Sequence, residues 1–408
     1  MRALVIAGGL PQIELIKQLK ERGIEALLAD GSPAAVARPF ADKFFHVDVF
    51  DIEAIKKISS EESVDFLITV CADQVLLVVA QVSEILGLPC YIDYETGKNV
   101  SDKIRMKRIF KESGVPTTDY VETESLDFNV ISHLKYPLVV KPVDAYSSKG
   151  VRKAENVDEL KQYYEEAQQI GRSGRVIVEE FFEGDEISVD AFVVNGKAKI
   201  LTVTNSEKVK DKDRFVIFRG RYPAKVTSSV MAQIEEVTQK IADSFGLVNS
   251  PLLVQLLAND DRISVLEFCA RTGGNMKYLL IKYSSGVDVI GATLDITLGK
   301  TPDLTPKFQK YNIVVNDFVY CKPGVFDHFE GFEELEHEGV INEFHPVRSK
   351  GTQMRGVTSS SDRIAGMNIV AETIDEYNVK RERINASVKV IDVNGEDIMR
   401  HDLLSEMK

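Results

Sequence analysis

The chain has 408 residues, enough to bury several cores, so two to four domains are expected rather than one. A hydrophobic fraction of 44% and a charged fraction of 28% describe an ordinary globular protein. The net charge of −13 excludes a general nucleic-acid binder, which needs a basic surface to neutralise phosphates.

Four cysteines, at positions 71, 90, 269 and 321, fall in no CxxC or metal-ligand spacing and are too few to staple the chain. Reduced thiols and a cytoplasmic protein follow. No run approaches the roughly 20 apolar residues that span a bilayer. The apolar run Ala3–Ala7 ends at Gly8-Gly9 with no cleavage region, so it reads as a strand, with neither secretion nor a membrane partner expected.

In chain order, residues 1–98 alternate strand-like runs with amphipathic helical stretches. The strands are Ala3–Ala7, Glu25–Ala29, Lys43–Val47, Phe66–Val70 and Cys90–Ile92, and this spacing predicts βαβ units and a parallel, Rossmann-like sheet. A dinucleotide site is disfavoured, because Ala7-Gly8-Gly9-Leu10-Pro11-Gln12 is not G-x-G-x-x-G and Pro11 stands where a phosphate-binding helix would present an amide. Ser101 is expected to cap a helix running to Phe110 or beyond, with Gly114 past its end and Pro116 blocking continuation.

A strand at 136–143, a Gly/Ser turn, a helix near 157–170 and a strand at 176–182 come next. They are followed by a hairpin around Asn195-Gly196, the strongest hairpin signal in the chain. A helix over about 227–245 places Val230, Ile234, Val237, Ile241 and Phe245 on one face and stops at Gly246. A second hairpin covers 252–268, Pro302 and Pro306 mark a linker, and strands are expected near 312–321 and 386–393. The expected fold is α/β and α+β multidomain: 1–98, then 99–300 with a central lid at about 131–204, then a small α+β region at 301–408.

Several residues carry chemistry. Lys141 interrupts the apolar run Leu138-Val139-Val140, so it either snorkels to solvent or meets an anion. Lys103 lies in the first turn of a helix, where a cation opposes the macrodipole unless an anion is bound. Residues 142–150 are small and polar enough to cover phosphates, or to be a plain surface turn. With a three-residue turn at Asn259-Asp260-Asp261, Ala258 would pair with Arg262 and Gln255 with Val265. Glu267 would then lie diagonally on the same face, a spacing that lets two oxygen-bearing side chains bracket a hard cation. Cys269 and Arg271 share that parity. Arg271-Thr272-Gly273-Gly274-Asn275 joins a cation to flexible backbone amides, a lining suited to phosphate or a developing oxyanion.

Together these motifs resemble the ATP-grasp superfamily, in particular its biotin-carboxylase-like and amino-acid-ligase branch. The resemblance rests on their order over about residues 1–300. They run Ser101-Asp102-Lys103, Gly114-Val115-Pro116, Lys141-Pro142, the loop 147–150, the strand Val178 to Glu186, and Glu267-x-x-x-Arg271 with Gly273-Gly274. It implies a two-lobed ATP-grasp fold after a Rossmann-like domain. It further implies ATP held by Lys103, Lys141, Ser147, Ser148 and Gly150, adenine against Glu179, Glu180, Phe181 and Phe182, and ribose on Glu186. Gln255 and Glu267 would hold one or two Mg²⁺, with Mn²⁺ able to substitute, and Arg271 would stabilise the transferred phosphate.

The sequence departs from the family pattern at Gln255, where many members are acidic, and at Cys269, where many have Asn. Dipeptide-forming amino-acid ligases also lack that Asn, and Cys269 directs the resemblance toward them. Arg214, Arg219 and Arg221 form a basic cluster that is either solvated strand charge or a clamp on a substrate carboxylate or phosphate. For that substrate contact Arg219, Arg221, Gly273 and Gly274 are the expected residues.

The reading is an ADP-forming carboxylate–amine ligase acting on an amino acid or small carboxylate and an amine. Its alternatives are a bicarbonate-dependent carboxyphosphate enzyme and a catalytically silent nucleotide-binding regulator. The last hundred residues would close the acceptor pocket or form a homodimer surface.

Overall fold

The computed structural model describes residues 1–145, 149–171, 173–210 and 214–405. Among them no helix is long and apolar enough to cross a membrane, and all four cysteines are free thiols.

The first module is a parallel sheet of β1 (Arg2–Ile6), β2 (Glu25–Asp30), β3 (Lys43–His46) and β4 (Phe66–Ile68) in the order β3-β2-β1-β4. The helices α1 (Leu10–Glu21) and α2 (Ile52–Glu61) connect β1 to β2 and β3 to β4, and α3 (Asp73–Leu86) follows β4. Strands β1, β2 and β4 are buried on both faces, whereas the edge strand β3 is half-exposed. The expected fifth strand at Cys90–Ile92 does not form. That segment packs instead against the rest of the chain, with the Tyr91 hydroxyl donating to the Ala270 carbonyl at 3.0 Å.

Helices α4 (Tyr94–Ser101) and α5 (Lys103–Ser113) follow. Ser101 is the last residue of α4, so the cap of α5 is Asp102, whose carboxylate accepts from the amides of Ile104 and Arg105 at 2.8 and 3.0 Å. Such a cap contributes about 1 kcal/mol. Gly114 ends α5 at φ +70°, a left-handed position that costs glycine little.

An antiparallel sheet comes next: β5 (Tyr120–Thr123), β6 (Leu138–Pro142), β7 (Arg152–Ala154) and β8 (Val176–Glu180), in the order β5-β8-β6-β7. Between its strands lie the short α6 (Phe128–Ile131) and α7 (Val157–Ile170), the helix expected near 157–170.

The largest element is an eight-stranded antiparallel sheet. It begins with β9 (Asp185–Val194), β10 (Lys197–Lys208) and β11 (Ile217–Tyr222), then α8 (Ser228–Ser244), then β12 (Ser250–Ala258) and β13 (Ile263–Cys269). Helices α9 (Lys277–Ser285) and α10 (Val289–Thr297) lead to β14 (Ile313–Val319). The chain ends with β15 (Gly324–Glu330), α11 (Phe332–His337), β16 (Glu343–Pro346), β17 (Gln353–Met354), β18 (Ala365–Ala371), α12 (Ile374–Ser387), β19 (Lys389–Asp392) and α13 (His401–Ser405).

The strand order is β13-β12-β9-β10-β11-β14-β18-β16, so residues beyond 300 extend the same sheet. β17, β15 and β19 form a small sheet beside it. Strands β9 and β10, which the expected lid at about 131–204 would include, belong wholly to the large sheet, whereas the four-stranded sheet of β5 to β8 spans 120–180.

Strand alternation gives the large sheet two unlike faces. On one, Ile187, Val189, Val254, Val265 and Phe268 pack under α5 and α8 with Phe110, Ile234 and Phe245. The Phe245 and Phe268 rings meet edge-on at 4.4 Å. On the other face lie Glu186, Ser188 and Asp190 of β9, Thr202 and Thr204 of β10, and Gln255 and Glu267. This polar face is where the chemistry collects.

Candidate active site

A cavity of about 390 Å³ opens between the β5–β8 sheet and the polar face of the large sheet. The β5–β8 side contributes Val139 and Lys141 of β6 and the segment Glu179–Phe182; the large sheet contributes Glu186, Glu207, Gln255 and Glu267. At one end the rings of Phe181 and Phe215 lie parallel within 26° at 6.4 Å, with the ammonium of Lys153 4.3 Å from Phe181 and that of Lys208 5.1 Å from Phe215. An aromatic mouth and a charged floor in one cavity of this size describe a small-molecule site.

The floor is organised by Glu179, which is buried together with both of its cations. One carboxylate oxygen accepts from Lys107 Nζ at 2.7 Å and from Thr118 Oγ1 at 3.2 Å; the other accepts from Lys141 Nζ. Burial alone would raise this carboxyl, but Lys107 and Lys141 outweigh it and hold it down at about 2. Burial lowers the Lys107 ammonium, and Glu179 only partly offsets that.

The other end holds Lys103, Gln255 and Glu267. Lys103 Nζ donates to the Ala145 carbonyl at 2.6 Å and lies 3.7 Å from Glu267. The hairpin register differs from the expected one. The turn has four residues, so Ala258 pairs with Ile263, and a bulge after Gln255 sets Gln255 directly opposite Glu267. Gln255 Nε2 donates to Glu186 at 3.3 Å, and Glu186 pairs with Lys208 at 2.8 Å.

Among the described residues no group of three His, Cys, Asp or Glu side chains is arranged to hold a metal. An adjacent carboxylate and amide oxygen nevertheless fit Mg²⁺, which takes one or two protein oxygens and completes its shell with water and substrate phosphates.

Past Glu267 lies a second charged cluster. Arg271 is buried and pairs with Asp73 at the start of α3, while its Nη1 donates to the Thr272 carbonyl at 2.7 Å. Burial opposes the charge of Arg271, and Asp73 more than restores it. Burial pushes the Cys71 thiol up to about 12, and burial with the Asp73 charge raises Cys269, so both are neutral at physiological pH. Deeper still, Lys277 Nζ lies 3.2 Å from Asp190 and donates to Thr204 Oγ1 at 2.7 Å. Burial raises the Asp190 carboxyl, with Lys277 opposing. Gly273 crosses over this pair. A Cβ there would come within 2.5 Å of the Lys277 side chain, so only glycine fits without a shift.

Residues 134–278 match the sequence profile of the ATP-grasp domain. This chain carries an ATP-grasp domain. It is 28% identical over 185 residues to a carbamoyl-phosphate synthase of Methanobrevibacter smithii, covering 44% of this chain and 48% of that protein. It is 30% identical over 193 residues to a D-alanine–D-alanine ligase of Staphylococcus haemolyticus, covering 42% and 52% respectively. The match thus spans about half the length of either relative. The crystal structure of an L-amino acid ligase from Bacillus licheniformis superposes with a TM-score of 0.81 at 18% identity, over 96% of this chain and 98% of that one. The fold is therefore shared with that ligase along nearly the whole chain.

Within the ATP-grasp cavity the structure gathers Lys103, Lys141, Glu179, Glu180, Phe181, Phe182, Glu186, Gln255 and Glu267, all expected from sequence. Arg221 also lines it, 3.2 Å from Glu207. Gly150 stands beside it in a left-handed turn at φ +70°, and Ser147 and Ser148 lie outside the described residues. The carboxylate of Glu179 does not stand free to meet adenine, because Lys107 and Lys141 engage it.

Arg219 is not in the cavity wall. It is 1% exposed, directly opposite Asp317 in the sheet and 2.5 Å from its carboxylate, and it ties β14 to β11. Arg271, Gly273 and Gly274 form the adjoining turn. Lys107, Asp73, Asp190 and Lys277 escape a reading of local sequence. Lys107 alone left a signal, as a lysine beside Met106 and three residues before Phe110 on the buried face of α5.

Proposed function

We propose that this protein is an ADP-forming carboxylate–amine ligase whose substrates are an amino acid or small carboxylate and an amine. The observation that carries the reading is the continuity of the site. The nucleotide-sized cavity ends at Lys103, Gln255 and Glu267, and the Asp73–Arg271 and Asp190–Lys277 pairs adjoin that end.

ATP supplies the phosphoryl group that converts a carboxylate to an acyl phosphate; an amine then displaces phosphate at the acyl carbon and gives up a proton. Glu267 and the Gln255 amide oxygen would hold Mg²⁺, which would supply charge neutralisation to the phosphates. The chain's own groups do the positioning. Phe181 and Phe215 offer ring faces to the base, Glu186 and Lys208 a polar edge to the ribose, and Lys141 and Lys103 cations to the phosphates. Arg271, fixed by Asp73, presents a guanidinium fork to the transferred phosphoryl oxygens, where preorganised charge lowers the barrier most.

The similarities to a D-alanine–D-alanine ligase and an L-amino acid ligase agree with this reading. The test is ADP release across amino acids and small carboxylates, with and without bicarbonate, with Arg271→Ala as control. ADP formed with a carboxylate and an amine, and lost in Arg271→Ala, supports the ligase. ATP binding with no ADP from any combination refutes it, and ADP formed from bicarbonate alone transfers the reading to carboxyphosphate chemistry.

A further inference from the structure

A second cavity, of about 300 Å³, lies outside the nucleotide site, between one side of α1, the outer face of α9 and the end of β16. Its apolar wall is made of Ile13 and Leu279 with Phe308 at the rim, and its polar groups divide into those already engaged and those not. Glu343 accepts from the Tyr283 hydroxyl at 2.5 Å and lies 3.2 Å from His345, while Asp288 accepts from the Gly291 amide at 2.9 Å and from Gln18 at 3.2 Å.

Two ammoniums are differently placed. Lys17 Nζ stands 5.7 Å from the centre of the Phe40 ring, with no carboxylate in ion-pair range among the described residues; Lys282 Nζ stands 4.8 Å from the Phe308 ring and 3.8 Å from Glu343. The Tyr278 hydroxyl has no hydrogen-bond partner among the described residues, and burial followed by the Glu343 charge keeps it a neutral donor. Glu14 accepts one bond from Gln18 at 2.9 Å and has a second oxygen to offer.

We propose that this cavity binds a small amino acid as its zwitterion, the carboxylate on Lys17, Lys282 and Tyr278, the ammonium on Glu14, and an apolar side chain against Ile13, Leu279 and Phe308. A phosphate fits less well, because three carboxylates share the wall and would repel a dianion. A purely apolar ligand would leave the Lys17 ammonium without an anion and Lys282 with only the distant Glu343. The site reports directly to the reaction centre. Tyr278 and Lys282 lie one turn apart on α9, and the first residue of that helix is Lys277, the partner of Asp190 beside the Arg271 turn. Assigning the bound amino acid as a substrate rests on the ligase reading; its binding does not.

The chain contains no tryptophan, so Phe308→Trp, at a rim position 39% exposed, installs a single fluorescent reporter, and Phe40→Trp, at 38%, a second one if the first disturbs folding. Individual amino acids are titrated to about 10 mM without ATP. The expected result is a saturable change of emission with at least one apolar amino acid, weakened at least about tenfold by Lys17→Met or Lys282→Met. The signal should vanish when the same compound lacks its amine or its carboxylate. Consumption of that amino acid in the ADP-release assay marks it as substrate, and a changed rate without consumption marks it as effector; either outcome supports the site. No saturable change with any amino acid in either reporter, or binding indifferent to both lysine substitutions, overturns it.

Discussion

Lys107→Met tests the organisation of the nucleotide floor. In the native protein Glu179 is neutralised by two cations, and the side chains of Lys107 and Glu179 are only 2% and 4% exposed. Removing one partner of a buried pair costs about 3–5 kcal/mol. Lys141 and Thr118 still contact the carboxylate, so the lower end, about 3 kcal/mol, is expected.

The functional consequence is separate. With Lys107 gone, Lys141 becomes the sole cation on a buried carboxylate, and its transfer to a phosphate carries an added cost of at least about 1.4 kcal/mol, a tenfold loss of ATP affinity. The assay is urea unfolding and ATP calorimetry on wild type, Lys107→Met, Glu179→Gln and the double variant. The double variant, with both charges removed, should recover most of the stability lost by Lys107→Met. A coupling energy below about 0.5 kcal/mol, or unchanged ATP affinity in Lys107→Met, would refute the reasoning.

Three further outcomes are expected. The folded Glu179 carboxyl titrates at about 2, below its ordinary 4.5. The ionised form therefore stabilises the fold above the unfolded value, and this contribution is lost as pH falls through the folded one; the stability gap between wild type and Glu179→Gln should narrow from pH 4.5 toward about 2. Arg271→Lys should keep ATP affinity within about twofold, because the side chain stands outside the nucleotide cavity. It should reduce turnover at least about 100-fold in the ADP-release assay, because a point charge replaces the fork. Glu267→Gln should raise the Mg²⁺ concentration for half-maximal ADP release at least about tenfold, since it removes a hard anionic ligand. An unchanged metal dependence would place the ion elsewhere.

What was legible in the sequence follows from range. Helix α8 declares itself by its apolar face and the stop at Gly246, and the β9–β10 hairpin by Asn195-Gly196, both at positive φ. The residues that line the large cavity were legible because they occur in order along the chain. The pairs that organise them join residues far apart. Lys107 meets Glu179 across 72 positions and Arg271 meets Asp73 across 198. Asp190 and Lys277 read as an alternating strand residue and an ordinary helix-start lysine. Arg219 misled for the opposite reason: arginines at 219 and 221 share one strand face, yet only burial shows that the first is engaged by Asp317 while the second borders the cavity.

The hairpin of β12 and β13 shows how much of the site depends on one irregularity. From the turn inward, Ala258, Leu257 and Leu256 pair with Ile263, Ser264 and Val265, a register that would bring Leu266 opposite Gln255. The bulge inserts one residue there. Leu266 and Glu267 then both border the cavity, and beyond them the alternation is shifted by one, so that Cys269 follows Glu267 onto the polar face. Arg271 continues this parity toward Asp73. Without the bulge, the same sequence would turn Glu267 and Cys269 toward α5 and the phenylalanine core and send Phe268 to the nucleotide face, since a one-residue slip exchanges the two faces of a strand. The bulge is therefore the local feature that aligns Glu267 with Gln255 and places the arginine turn at the end of the cavity.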